Sequence, residues 1–394
     1  MERLLPALDG LPPTYLVGGW VRDLLRGERP ERGPDLAVEG DAPLVARALA
    51  DRLGGEVREH ERFRTAIVRL GGVEVDLVTT RRETYEEPGA LPRVEAASLR
   101  EDLARRDFAV NAMAIALKGD DLGHLYDPHS GLPDLEAGLL RVLHDKSFID
   151  DPTRLLRGVR FEARLAFGFE PDTEVLAREA VGSGALSTVS ADRTGRELLK
   201  ILEETEAPSA VARLKNLEIA SALHPALDPD PDLVASAALG AVTLGANRVT
   251  AELAAMVVGD PQELDLWVAE LPLEARDRDA VSRAARVAPR ICASLREREQ
   301  TPSELRMLLG NEPPEALAVA LALGAPSEPI LRWATELSRV GLEIGGADLL
   351  AAGVAEGPAI GRALEETLRR KLDGLVAGRD EELETALELA RQGA

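Results

Sequence analysis

Gly33-Pro34-Asp35-Leu36-Ala37-Val38-Glu39-Gly40-Asp41 (GPDLAVEGD) reads as a short buried strand, Asp35 to Val38, with a carboxylate at its head. Side chains two residues apart on a strand share a face. An acid two residues before Asp35 would therefore stand beside it and grip a metal, and that position is Gly33. The stretch is thus either a site lacking one ligand or a strand that begins with a solvated aspartate.

The flanking sequence is built to surround such a strand. Thr14 to Val17 is a second strand-like run, ending in Gly18-Gly19 and followed by a helix from Trp20 to Arg26. Ala42 to Leu53 reads as a helix closed by Gly54-Gly55. Arg64 to Leu70 and Val73 to Val78 flank Gly71-Gly72, a hairpin signal. In VEVDLVTTRRE, Glu74 and Asp76 alternate with apolar residues and so face one side. That pattern fits a half-exposed hairpin. It also fits Asp76 meeting Asp35 from a neighbouring strand, a pair able to hold Mg²⁺ for phosphoryl transfer.

After Leu99 the pattern changes to helical periodicity, and strand-like runs are almost absent beyond residue 145. Proline-rich turns at Pro225 to Pro231 and at Pro313-Pro314 divide the helical part. The chain therefore reads as an α/β head followed by a long helical body.

The 394 residues suffice for two or three domains, and a hydrophobic content of 45% is that of a globular protein. No apolar run approaches bilayer length, so no membrane association is expected. MERLLPALDGLPP lacks the basic region and cleavage site of a signal peptide. The single cysteine, Cys292, excludes an intrachain disulfide framework and a four-cysteine zinc site, which fits a reducing cytoplasm. A formal charge of -22 argues against a generally basic nucleic-acid coat but not against a local basic cleft.

Arginine is in fact clustered, at Arg100, Arg105 and Arg106 and again at Arg154, Arg157, Arg160 and Arg164. The second group recurs with Asp151 at three- and four-residue steps, one stripe of a helix. A solvated basic face is one reading. However, Leu155, Leu156, Val159, Phe161 and Leu165 occupy the other faces. Arginines on a mostly buried helix need an anion or a planar hydrogen-bonding ligand. In LVGGWVRDLL, the glycines permit close backbone approach and Arg22 lies one turn into a helix whose first N–H groups face an anion.

Together VGGWVRDLL, DLAVEGD, VDLVTTRRETYEEPGALP, EDLARRDFAVNAMAI, LYDPHSGLPDLEAGLLRVL, DDPTRLLRGVRFEARLAF and GADLLAAGVAEGPAIGRALEE resemble one family. These are the class II tRNA nucleotidyltransferases, or CCA-adding enzymes, with the related bacterial poly(A) polymerases. The resemblance spans nearly the whole chain. It implies an α+β fold: a nucleotidyltransferase head like that of DNA polymerase β, with a mixed sheet, followed by an all-helical neck, body and tail. The implied boundaries are 1–140 for the head, 141–205 for the neck and 206–394 for a tRNA-binding body and tail.

The implied activity is template-independent addition of CMP or AMP, from CTP or ATP, to the 3′ end of tRNA with Mg²⁺. Gly19 and Arg22 match residues that hold the triphosphate. Arg106 matches a nucleotide-contacting arginine, and Asp107 and Asn111 match the ribose side. Asp151 and Arg154 match the pair that reads the base edge, and Arg157 and Arg160 match further nucleotide contacts. Asp35 and Asp76 match the second and third acids of the metal site. Arg82 to Leu99 matches a mobile loop that helps the switch to adding A.

The departure is Gly33, where the family carries the first acid; Pro34 also stiffens the backbone there. Glu31 and Glu39 are imperfect substitutes. Three alternatives follow: a non-catalytic nucleotide- or RNA-binding relative, an enzyme adding only A or only CC, and a poly(A) polymerase.

Overall fold

The computed structural model describes residues 3–30, 33–60 and 64–392. Glu31 lies outside the described residues. The chain divides into two units, Met1–Leu223 and His224–Ala394.

Besides a short parallel pair, Leu139–Leu140 with Gly168–Phe169, the strands of the first unit are β1 (Thr14–Val17), β2 (Asp35–Val38), β3 (Glu56–His60), β4 (Thr65–Leu70), β5 (Val73–Thr79), β6 (Arg81–Thr84), β7 (Arg93–Ala96), β8 (Ala114–Ala116) and β9 (Leu125–Tyr126). Seven of them form one sheet in the order β3-β4-β5-β2-β1-β8-β9. Only β2 and β5 run parallel within it, so the sheet is mixed. The helix Ala42–Leu53 lies between β2 and β3, capped by Asp41, and buries Val45, Ala46 and Leu49. Val17, Ala37, Leu99, Leu103 and Ala114 form a core cluster against which Tyr15 and Tyr126 pack.

Two segments differ from the sequence-based expectation. Between residues 99 and 141 the chain is not a long helix but a string of short helices with β8 and the edge strand β9 closing one side of the sheet. Ala112, Met113, Ala114, Ala116 and Leu117 are all buried, so this run carries no polar stripe from which periodicity could be read. Residues 82–99, expected as a loop, hold most of an antiparallel ribbon of β6 and β7. β6 alternates in burial but is polar throughout (RRET), and β7 is exposed along its length, so neither carries a buried apolar face.

Beyond the head, the helix Thr153–Leu165 crosses a cluster of Phe108, Phe148, Phe161 and Phe169. Gly158 makes this approach possible, because a Cβ there would stand 2.4 Å from the Phe169 ring. The second unit is helical. Its helices Pro231–Leu244, Arg248–Val257, Ala275–Glu297 and Pro314–Ala322 pack together, and Ile344, Leu349, Ala363, Ala386 and Ala390 form a separate core toward the C-terminus. The two proline-rich turns fall at helix starts, with Asp230 capping Pro231–Leu244. Among the described residues no helix is long and apolar enough to cross a membrane.

Candidate active site

The parallel pairing of β2 with β5 puts Asp35 in register with Asp76. Register partners present their side chains on the same face. Asp35 is exposed at the strand head and Asp76 is half-buried. Burial, with the Glu74 charge added, pushes the Asp76 carboxyl above its ordinary pKa. Such a pair of carboxylates attracts a cation.

Gly33 does not continue the face of Asp35, contrary to the expectation from strand alternation. The strand begins only at Asp35, and a Cβ on Gly33 would lie 1.4 Å from the Glu74 carbonyl oxygen. The indole Nε1 of Trp20 donates to the Gly33 carbonyl at 2.7 Å, and Asp76 N donates to the Pro34 carbonyl at 3.0 Å. The backbone before Asp35 is thus held against β5. Glu39 points elsewhere, accepting from Tyr15 Oη at 3.2 Å and from Leu99 N at 3.0 Å.

On the other wall, Gly18 has φ 69 and its missing Cβ leaves room for the Arg106 guanidinium, which would stand 2.9 Å from it. The helix that follows, Gly19–Leu25, has only two turns, and Arg22 on it is 4% exposed. Arg22 donates to Asn111 Oδ1 and to Asp23 Oδ1, each at 2.8 Å. Asn111 in turn donates to Asp107 Oδ1 at 3.0 Å, and Arg157 binds the other oxygen of Asp107. Burial alone would raise the Asp107 carboxyl. The Arg157 charge, the Asn111 and Arg157 hydrogen bonds and the Phe108 N–H outweigh it and hold the pKa near 2. Asp107 is therefore an anion that fixes Arg157 and Asn111.

Arg106 is steered the same way. Asp102, 1% exposed, accepts from Arg105 at 2.8 Å and from Arg106 at 3.0 Å. Arg106 Nε is buried and takes no partner among the described residues.

Of the arginine stripe, Arg154 is buried, Arg157 and Arg160 are half-buried and Arg164 is exposed. Arg154, 4% exposed, donates to Ser147 Oγ at 2.6 Å and to the Arg105 carbonyl at 2.7 Å. Those bonds use two of its five N–H groups and leave the fork oriented. Arg22, Arg157 and Arg160 all lie over the Phe161 ring, within 5.6 Å of its centroid. Burial lowers the pKa of Arg160, with Glu197 at 3.4 Å opposing it, and Arg160 Nε has no partner among the described residues.

Asp151 Oδ1 accepts from Thr153 Oγ1 at 2.6 Å and from Arg193 Nη2 at 3.0 Å, while nothing among the described residues donates to Oδ2. Sequence reasoning passed over Arg193, Phe161, Glu197, Asp102 and Glu83. Each acts by holding an arginine or Asp151. Asp102 and Phe161 lie within a helical turn of arginines they hold, whereas for Arg193, Glu197 and Glu83 that role becomes visible only when distant segments meet. Glu83, on β6, is one such case, pairing with Arg105 at 3.0 Å.

All eleven expected site residues line one cleft of about 690 Å³. A larger cavity, of about 1020 Å³, lies against Leu53, Leu70 and Val73 and contains none of them. The cleft is lined by guanidiniums, by the Asp35–Asp76 carboxylate pair and by Asp151 with Arg154. Among the described residues no group of three or more His, Cys, Asp or Glu side chains is placed to hold a metal.

Residues 14–141 match the Poly A polymerase head domain. The chain is 34% identical, over 96% of its length, to an A-adding tRNA nucleotidyltransferase of Geobacter sulfurreducens, of which it spans only 45%. It is 34% identical to a CC-adding tRNA nucleotidyltransferase of Deinococcus radiodurans, the match covering 93% of this chain and 87% of the relative. In three dimensions it superposes on the CCA-adding enzyme in its apo form II with a TM-score of 0.85 and 32% identity, over 98% of this chain and 94% of that one. Such likeness along almost the full length, added to a head sheet that carries paired aspartates, makes the chain a member of the class II tRNA nucleotidyltransferase family.

Proposed function

We propose that this chain transfers CMP or AMP from CTP or ATP to the 3′ end of a tRNA and releases pyrophosphate. The observation that carries the reading is the single cleft in which oriented guanidiniums, a carboxylate pair and Asp151 with Arg154 meet. In this reading Gly19 and Arg22 take the triphosphate. Arg106, Arg157 and Arg160 contact the nucleotide, and Asp107 and Asn111 support the ribose side by fixing these arginines. The free oxygen of Asp151 and the remaining donors of Arg154 form a planar edge that reads the base, so protein replaces a template strand.

Asp35 and Asp76 would hold Mg²⁺, whose chemistry is to neutralise phosphate charge during transfer. The register pairing that sets Asp35 beside Asp76 supports a cation there. Residues 1–140 are the catalytic head, 141–205 the neck, and 206–394 the part that binds tRNA through its phosphates. A cytoplasmic protein handling tRNA fits the single cysteine and the absence, among the described residues, of a membrane-spanning helix.

Gly33 favours a second reading, a relative that binds nucleotide and RNA without transfer. One experiment separates the two. The protein is incubated with Mg²⁺ and tRNA lacking one, two or three terminal nucleotides, with CTP, ATP or both. Extension of at least one substrate supports the transferase, and the product lengths distinguish A, CC, CCA and poly(A) addition. Tight nucleotide binding with no extension of any substrate supports the second reading.

A further inference from the structure

We propose that Asp35 and Asp76 hold a single divalent cation, shared with the phosphates of the nucleotide, and that the backbone at Gly33 closes this cleft to a second protein-bound ion. The inference rests on the reading that the cleft takes a nucleoside triphosphate.

The argument is steric before it is electrostatic. A two-ion site needs a carboxylate common to both ions, set beside the pair already present. Position 33 does not offer that place. Its Cβ direction runs into the peptide of β5, 1.4 Å from the Glu74 carbonyl oxygen and 2.6 Å from its carbon. That oxygen belongs to backbone within a paired strand and has no rotamer by which to move aside. The Trp20 indole and the Asp76 N–H hold the carbonyls of Gly33 and Pro34, and Pro34 is buried with its φ fixed. Gly33 thus lines the cleft through its backbone, while its Cβ direction is taken up by packing against β5, so it is not an aspartate site awaiting its side chain. Among the described residues no third ligand joins the pair.

Two carboxylates are enough for one magnesium-like ion. Mg²⁺ keeps several waters and is held through one or two carboxylates together with substrate phosphates. The phosphate charge left over has other partners here, because Arg22, Arg157 and Arg160 are gathered around Phe161 and Arg106 is aimed into the same cleft. Guanidiniums therefore do part of what a second cation would do.

Mn²⁺ is the probe, and the full chain is studied with tRNA lacking its last nucleotide and a non-hydrolysable ATP or CTP analogue. Two Mn²⁺ ions about 3.5–4 Å apart are spin-coupled and give an electron paramagnetic resonance spectrum unlike that of an isolated ion. The expected result is the isolated-ion spectrum with no coupled pair, together with at least tenfold weaker Mn²⁺ binding when the nucleotide is left out. Asp35→Asn should weaken Mn²⁺ in the complex at least tenfold. A spin-coupled pair in the native complex overturns the inference, as does an Asp35→Asn protein that holds Mn²⁺ like the native chain. Absence of analogue binding both in EDTA and with Mn²⁺ overturns the nucleotide reading itself.

Discussion

Arg193 donates to Asp151 Oδ1 at 3.0 Å, and its other terminal nitrogen donates to the Gly89 carbonyl at 2.7 Å. One guanidinium thus ties the tip of the β6–β7 ribbon to the carboxylate proposed to read the base. Gly89, with φ +71, fits only without a side chain, because a Cβ would lie 2.1 Å from Thr188 Oγ1.

Removing that tie should loosen selection more than folding. In Arg193→Ala, Asp151 keeps its Thr153 donors but loses the partner that fixes its plane. A charge-assisted hydrogen bond contributes about 1.5–3 kcal/mol. Discrimination of CTP and ATP against UTP and GTP, measured as ratios of kcat/KM, is expected to fall roughly tenfold, with partial recovery in Arg193→Lys. Unchanged ratios with only a lower melting temperature would reduce Arg193 to a structural tie.

Asp107 and Arg157 form the electrostatic centre of the cleft. Removing one partner of a buried pair costs about 3–5 kcal/mol. Asp107→Asn combined with Arg157→Ala should therefore lose less stability than the two single changes added together, by about 1–3 kcal/mol in a double-mutant cycle. The folded pKa of Asp107, near 2, lies below the ordinary value of 3.8. Its contribution is complete above pH ~4 and is lost as the pH falls toward 2. Strictly additive losses in urea titrations would contradict the coupling.

Substitution at Gly33 should disturb the strand and not repair the site. Forcing a Cβ into the Glu74 peptide requires backbone movement, which costs about 1–3 kcal/mol for an overpacked position. Gly33→Ala and Gly33→Asp are both expected to lower the melting temperature, and Gly33→Asp to leave turnover no higher. A stable Gly33→Asp protein with faster nucleotide addition would mean that the backbone can turn a carboxylate at position 33 into the cleft that Gly33 already lines.

In the second unit, Glu252 is wholly buried, its Oε1 bonded to Arg248 at 2.6 Å and its Oε2 without a hydrogen-bond partner among the described residues. Burial outweighs the Arg248 charge and pushes its pKa from 4.5 up to about 7. A raised carboxyl stabilises the fold fully below pH ~4.5 and loses that contribution as the pH rises through 7. Each pKa unit corresponds to ~1.4 kcal/mol, so Glu252→Gln should stabilise this unit by a few kcal/mol at pH 8 and by little at pH 5. Equal thermal shifts at the two pH values would show that the Glu252 charge is not the cause.

What was legible in the sequence follows from how local its determinants are. β1, β2 and the helix Ala42–Leu53 match their expected bounds because prolines and glycines mark their ends. The arginine stripe was legible because helical spacing is fixed by the chain itself. Sequence could place Asp35 and Asp76 on strands, and the parallel register then set them side by side. Arg193 was not legible, since it works on a partner that only the fold brings near, whereas Asp102 stands three and four residues before its partners Arg105 and Arg106 and was within reach of helical spacing. Gly33 was read as a lost ligand on an extended strand. Its tertiary contact with Glu74, rather than its neighbours in sequence, sets its direction.

Base selection by Asp151 and Arg154 is the central claim, and competition among nucleotides tests it most directly. The native chain and Arg154→Ala are each given tRNA lacking its terminal nucleotides and an equal mixture of the four ribonucleoside triphosphates, and the added residues are sequenced. The native protein is predicted to add only C or A, while Arg154→Ala admits U and G in proportion to a loss of about 1–3 kcal/mol of discrimination. Indiscriminate addition by the native protein, or an unchanged preference in Arg154→Ala, would contradict the account.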